Sequence, residues 1–123
     1  MANTTAKPRV LVVDDERVIA DTLSMILSQS GFEARAVYSG ERAVELASEW
    51  QPEMLISDVI MADLNGIDAA IRIRELVPKI KILLFSGQAA TADLLENARA
   101  RGYEFEILAK PVHPQDLLNR LRS

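Results

Sequence analysis

The chain contains no cysteine, which excludes a disulfide framework, a Cys-based zinc site and a thiol nucleophile. Histidine occurs once, as His113 beside Pro114 at a helix start, with no catalytic partner in view, so a solvent-facing side chain is the expected reading. No apolar run reaches the 18 residues of a membrane span, and Met1 to Arg9 carries Lys7 and Arg9 without an apolar core. Neither a membrane segment nor an export signal is therefore expected, and a cytoplasmic location fits. Long basic runs are absent too. With 14 Lys+Arg against 18 Asp+Glu the formal charge is −4, so direct nucleic-acid binding is not expected. Repeats, linkers and low-complexity segments are also missing. The 123 residues are read as one domain, with about 1–8 as a flexible N-terminal segment and no output domain. A chain of this length buries roughly two thirds of its unfolded surface in a single core.

What is present alternates. Val10-Leu11-Val12-Val13 and Met54-Leu55-Ile56-Ser57-Asp58 are short, continuously apolar runs of the kind found in strands covered on both faces. Ile80 to Phe85 is a third such run, and Phe105 to Ala109 a shorter one. Phe32 to Val37 alternates apolar with polar residues and reads as an edge strand. Between these lie helical stripes: Val18, Ile19, Leu23, Ile26 and Leu27 from about Asp15 to Ser30, a segment from Ser39-Gly40-Glu41 to Trp50, Ile67, Ala70 and Ile71 after Asn65-Gly66, Leu94, Leu95 and Ala98 from about Ala90 to Arg101, and Leu117, Leu118 and Leu121 after Pro114. Five strands alternating with five helices imply a parallel sheet with helices on both faces, because each parallel connection needs a right-handed crossover. The expected architecture is a three-layer α/β sandwich. With strand order 2-1-3-4-5 the weakly apolar second strand lies at an edge, and Asp14, Asp15 and Asp58 meet where the winding direction reverses.

Three carboxylates converging there pose an electrostatic problem. At about 4 Å each pair repels by roughly 4 kcal/mol at an effective dielectric near 20, so all three stay ionised only around a cation. Oxygen-only ligation by few protein groups suits Mg2+, which keeps several waters and leaves room for a phosphate oxygen. Lys110, at the tip of the fifth strand, supplies a compact positive charge for a phosphoryl oxygen, and Ser86, at the fourth, a hydroxyl donor. Each residue alone has a plainer reading: Asp15 as a helix cap, Asp58 as a turn initiator, Ser86 as a solvated loop hydroxyl, Lys110 as a surface lysine. Capping does not explain why groups suited to Mg2+ and phosphate sit at the carboxyl ends of four different strands.

Val12-Val13-Asp14-Asp15-Glu16, Asp58 followed by Met61 and Gly66, Ser86 after an apolar strand, and Lys110-Pro111 after the last strand make the chain resemble, over essentially its whole length, a response regulator receiver domain of two-component signal transduction. The resemblance implies a doubly wound (βα)5 flavodoxin-like fold and a signalling role rather than an enzyme acting on outside substrates. It implies Asp58 as phosphoacceptor, with Asp15, Asp58 and the Ile60 backbone carbonyl as Mg2+ ligands and Asp14 acting through water. Lys110 and Ser86 would contact the phosphoryl group, and the Lys110–Pro111 bond would be cis, at a penalty of only about 0.5–1 kcal/mol before proline. The partners it implies are a histidine kinase or histidine phosphotransfer protein as donor and a downstream protein as target. Gly87 would ease rearrangement of its loop, and Ile60 and Gln88 occupy positions that tune phosphoryl lifetime.

Three features depart from the pattern. Ala62 stands where proline commonly follows the methionine, Ile107 stands where an aromatic ring commonly reports activation, and Tyr103-Glu104-Phe105-Glu106 is one residue longer than the usual spacing. A side chain other than an aromatic at 107, or the backbone, would then carry the signal. The rival reading is a Mg2+-dependent phosphatase of the haloacid dehalogenase type, although Asp14 and Asp15 are adjacent where that chemistry needs an Asp-x-Asp arrangement. A flavin carrier of similar topology is disfavoured by the acidic loop after the first strand, which repels a cofactor phosphate.

Overall fold

The computed structural model describes residues 7–61, 65–87, 91–110 and 113–122. Strands and helices alternate as β1 (Arg9–Val13), α1 (Arg17–Gln29), β2 (Glu33–Val37), α2 (Gly40–Trp50), β3 (Met54–Asp58), α3 (Gly66–Leu76), β4 (Lys81–Ser86), α4 (Thr91–Ala100), β5 (Glu106–Ala109) and α5 (Pro114–Arg122). All strand pairs are parallel and the order is β2-β1-β3-β4-β5. The expected three-layer sandwich is thus the observed one, with β2 at an edge.

Because side chains along a strand point alternately to opposite faces, the apolar runs feed two cores. Leu11, Val13, Leu55, Ile82 and Leu84 pack with Ala43, Ala47, Trp50, Ala70, Ile73 and Ala98 on the face covered by α2, α3 and α4. Val10, Val12, Ile56, Leu83 and Phe85 pack with Ala20, Leu27, Leu117, Leu118 and Leu121 on the face covered by α1 and α5. Fully burying one such large side chain contributes about 1.5–3 kcal/mol, so a central strand apolar on both faces cannot slip register without losing both cores.

Local signals set the helix ends. Ser39 accepts the Arg42 amide at 3.2 Å and caps α2. Asn65 accepts the Asp68 amide at 2.9 Å, and its side-chain amide donates back to the Asp68 carboxylate at 3.0 Å, so α3 starts on a reciprocal cap. α1 departs from expectation by beginning at Arg17 rather than near Asp15. The Glu16 amide donates to Asp14 Oδ1 at 2.9 Å, which turns the chain before the helix begins. Glu16 takes the cap position without a side-chain cap bond, and the carboxylates of Asp14 and Asp15 stay outside the helix.

Candidate functional site

Strand register brings the candidate residues together. Val13 stands level with Ser57, so Asp14 and Asp58 emerge side by side from β1 and β3. Asp58 is level with Phe85, and Phe85 with Leu108, so Lys110 leaves β5 two residues beyond that line. Its long side chain reaches back across the β4 end to place Nζ 2.8 Å from Asp58 Oδ2 and 4.0 Å from Asp14 Oδ2. Ligand oxygens of Asp14, Asp15 and Asp58 all lie within 4.8 Å of one another. Asp14 and Asp58 are buried, at 1% and 8% exposure, while Asp15 faces solvent. Together with Glu16, Ile60, Gly87 and Lys110, Asp15 and Asp58 line a cavity of about 230 Å³ open at the carboxyl edge of the sheet.

The backbone around Asp58 is held closely. Ser57 donates its hydroxyl to the Asp58 carbonyl at 2.9 Å, and the Ile60 amide donates to Asp58 Oδ1 at 3.3 Å. The Val59 amide donates to Phe85 O at 3.1 Å, and the Gly66 amide to Val59 O at 2.8 Å. A Cβ on Gly66 would stand 2.0 Å from the Asp58 carbonyl oxygen, so only glycine lets the start of α3 approach the acid this closely. At the opposite wall the Lys110 amide donates to Ser86 O at 3.1 Å, and the Gly87 Cα faces the Lys110 stem.

Charge in the site is poorly balanced. Burial pushes the Asp14 carboxyl above its ordinary pKa of 3.8; the Glu16 amide opposes that, and repulsion from Asp58 adds to it. Asp14 Oδ2 is buried with no hydrogen-bond partner among the described residues. Burial pulls the Lys110 ammonium down, but the hydrogen bond to Asp58 and the charges of Asp58, Asp14 and Glu16 outweigh it, and the net shift is upward from 10.5. One ammonium therefore faces three carboxylates, and a buried carboxylate oxygen, 4.0 Å from that ammonium, is left without a hydrogen bond. That donor set, all oxygen and net negative, fits a hard divalent cation.

Asp14, Asp15, Asp58, Lys110, Ile60 and Gly87 come to one place. Ser86 stands half-buried at the end of β4 beside Gly87 and is not among the residues lining the cavity. Ile107 lies half-buried on β5 level with Leu84 and packs in the same core as Leu94, Leu95, Tyr103 and Phe105. Gln88, Pro111 with its expected cis bond, and Ala62 lie outside the described residues. Glu16 is a wall residue to which the motif Val12-Val13-Asp14-Asp15-Glu16 assigned no separate role; its signal was a third acid in the run Asp14-Asp15-Glu16. The plainer readings of two residues do not hold. Glu16, not Asp15, stands at the N-cap position of α1, and Lys110 is ion-paired with its side chain 29% exposed.

Relatives share this arrangement of elements. The sequence profile of the response regulator receiver domain matches residues 10–122. The chain is 32% identical over 116 residues to the chemotaxis protein CheY of Thermotoga maritima, covering 94% of this chain and 95% of that one. It is 31% identical over 114 residues to the probable transcriptional regulatory protein TcrX of Mycobacterium tuberculosis, covering 93% of this chain but 48% of TcrX. The chain thus spans about half the length of the first of the curated relatives it matches. Among solved structures, the receiver domain protein (CheY-like) from Methanospirillum hungatei superposes with a TM-score of 0.85 at 23% identity, covering 95% of this chain and 92% of that one. Vibrio cholerae CheY4 superposes with a TM-score of 0.81 at 28% identity, covering 95% and 98%. With the profile matched from the first strand to the last helix, the chain belongs to the response regulator receiver domain family of two-component signalling proteins.

Proposed function

We propose that this receiver takes a phosphoryl group onto Asp58 from a phosphohistidine of a histidine kinase or histidine phosphotransfer protein and thereby changes its affinity for a downstream protein. The observation that carries the reading is the Lys110–Asp58 pair at 2.8 Å beside an Asp14 oxygen without a hydrogen bond, with Asp58 and Lys110 lining a cavity of about 230 Å³ at the strand tips. In the transfer, an Asp58 carboxylate oxygen attacks phosphorus, the P–N bond to the donor imidazole breaks, and the imidazole leaves. The product is an acyl phosphate. Lys110 neutralises charge on the transferring oxygens, and Ser57, Gly66 and the Ile60 amide hold the acid in place, so positioning and electrostatics carry the catalysis.

Mg2+ is the cation this donor set fits: Asp15, Asp58 and the Ile60 carbonyl would hold it with Asp14 acting through water, and it would supply positive charge for the phosphoryl oxygens. Ser86 and Gly87 would follow the added charge by rearranging the β4 end, a shift between pre-existing states. With Ile107 in place of an aromatic ring, that shift passes through the side chains packed against it or through the backbone. Ile60, 42% exposed at the cavity rim, and Gln88 would set phosphoryl lifetime, with Ile60 shielding the acyl phosphate and Gln88 orienting the hydrolytic water. The exposed Val18 and Met25 on α1, seven residues and so about two turns apart on one face, offer the donor an apolar landing strip beside the acid cluster. No helix among the described residues is long and apolar enough to cross a membrane, and we assign the domain to the cytoplasm with its kinase.

Incubation with acetyl phosphate and Mg2+ tests the reading. Transient labelling to no more than one phosphate per chain is expected; sustained release of many phosphates per chain would instead favour the phosphatase, which family membership does not support.

A further inference from the structure

A second cavity, of about 410 Å³, does not belong to the acid cluster. It opens over the carboxyl end of β2 and is lined by Arg17, Ala36, Val37, Tyr38, Ser39 and Arg42. Arg17 lies two residues beyond Asp15, and its guanidinium sits 4.2 Å from the centroid of the Tyr38 ring. Tyr38 is itself fixed, its hydroxyl donating to Asp21 Oδ1 at 2.6 Å. Stacking engages the face of a guanidinium and leaves its in-plane N–H donors available, so Arg17 is a fork held in orientation rather than a swinging arm. Among the described residues no carboxylate forms an ion pair with it. The guanidinium of Arg42, also in the lining, pairs among the described residues with the exposed Glu45 three residues along its own helix, a surface pair worth about 0–1 kcal/mol and readily exchanged.

We propose that this cleft is a second binding site, for an oxyanion group, carboxylate or phosphate, held bidentately by Arg17 with Arg42 as the second cation. Asp21, bonded to Tyr38, and Glu45, paired with Arg42, stand beside it, so the site has no strong positive field and selects by the geometry of the fork. A point charge in place of Arg17 is therefore a poor substitute. β2 is two strands from β3, which at about 4.8 Å per strand puts the cleft roughly 10 Å from the phosphoacceptor strand. A protein covering Asp58 also covers the cleft, and its glutamate or aspartate side chains are one source of the oxyanion. A free phosphate ion is the other.

NMR titration of the whole chain in EDTA, followed at the Tyr38 ring and the Arg17 Nε–H, tests this with two probes: inorganic phosphate and a glutamate-rich peptide. Saturable shifts at both positions are expected in the unsubstituted chain; at the Tyr38 ring, the probe both variants keep, binding is weakened at least tenfold in Arg17→Ala and nearly as much in Arg17→Lys. Saturation by phosphate alone assigns the site to a free ion, and saturation by the peptide assigns it to a protein side chain. Shifts that never saturate, that survive Arg17→Ala, or that Arg17→Lys fully restores would overturn the site. Labelling of Asp58 is read separately on the unsubstituted chain, so either proposal can fail without the other.

Discussion

Asp14 shows most directly how a residue can be retained against stability. Its carboxyl is pushed above the ordinary range, by burial first and by Asp58 second. Folding therefore favours the protonated form, and the ionised form costs stability at neutral pH. The cost is present above the raised pKa and is relieved as pH falls through it toward 3.8. Asp14→Asn is accordingly predicted to melt at higher temperature than the parent at pH 7 without Mg2+, with the gap closing on acidification; thermal denaturation across pH checks this. Lys110 has the opposite linkage. Its raised pKa means that its contribution is complete below 10.5 and is lost only as pH rises through the higher folded value. At neutral pH its charge is constant, and its removal is read in chemistry. Lys110→Ala should slow labelling by acetyl phosphate on the order of 10²–10³-fold, as measured by phosphate incorporation over time.

At the scale of elements, the junction of β3 and α3 ties packing to reactivity. Gly66 begins a reciprocally capped helix while its Cα rests against the Asp58 carbonyl. Gly66→Ala is predicted to destabilise the chain by about 1–3 kcal/mol or more, as overpacking against backbone does, and to lower labelling through displacement of the acid. Denaturant unfolding and a labelling time course read the two effects. The elements themselves were largely legible in the sequence, because continuous apolar runs mark strands buried on both faces and three-and-four spacing marks the helices between them. The start of α1 was less so. Apolar periodicity runs back to Val18 and acids are good caps, yet the Asp14–Glu16 turn delays the helix to Arg17, a side-chain-to-backbone bond that no periodicity reveals. The candidate site followed from strand-tip placement, since parallel strands deliver their last residues to one edge. The Arg17–Tyr38 stack joins residues 21 apart in sequence, a number that depends on helix start and edge register together, and no local pattern announces it.

The molecule gathers Asp14, Asp15 and Asp58 at one rim of an otherwise well-buried sheet, and an ion bound at that rim would couple folding to ion binding. A cation that binds only the native arrangement stabilises by mass action, about 2.7 kcal/mol at a hundredfold excess over Kd. Mg2+ is thus expected to raise Tm, by several degrees for a domain of this size at that excess, and EDTA to reverse the rise. In Asp58→Ala most of the effect should vanish. A rise of equal size in that variant would place the ion elsewhere. The central claim is that Asp58 is the single acceptor, and mass spectrometry of the chain after acetyl phosphate and Mg2+ tests it most directly. One alkali-labile phosphate is expected, mapped to the peptide bearing Asp58 and absent from Asp58→Ala. A phosphate of the same lability and yield in Asp58→Ala would contradict it.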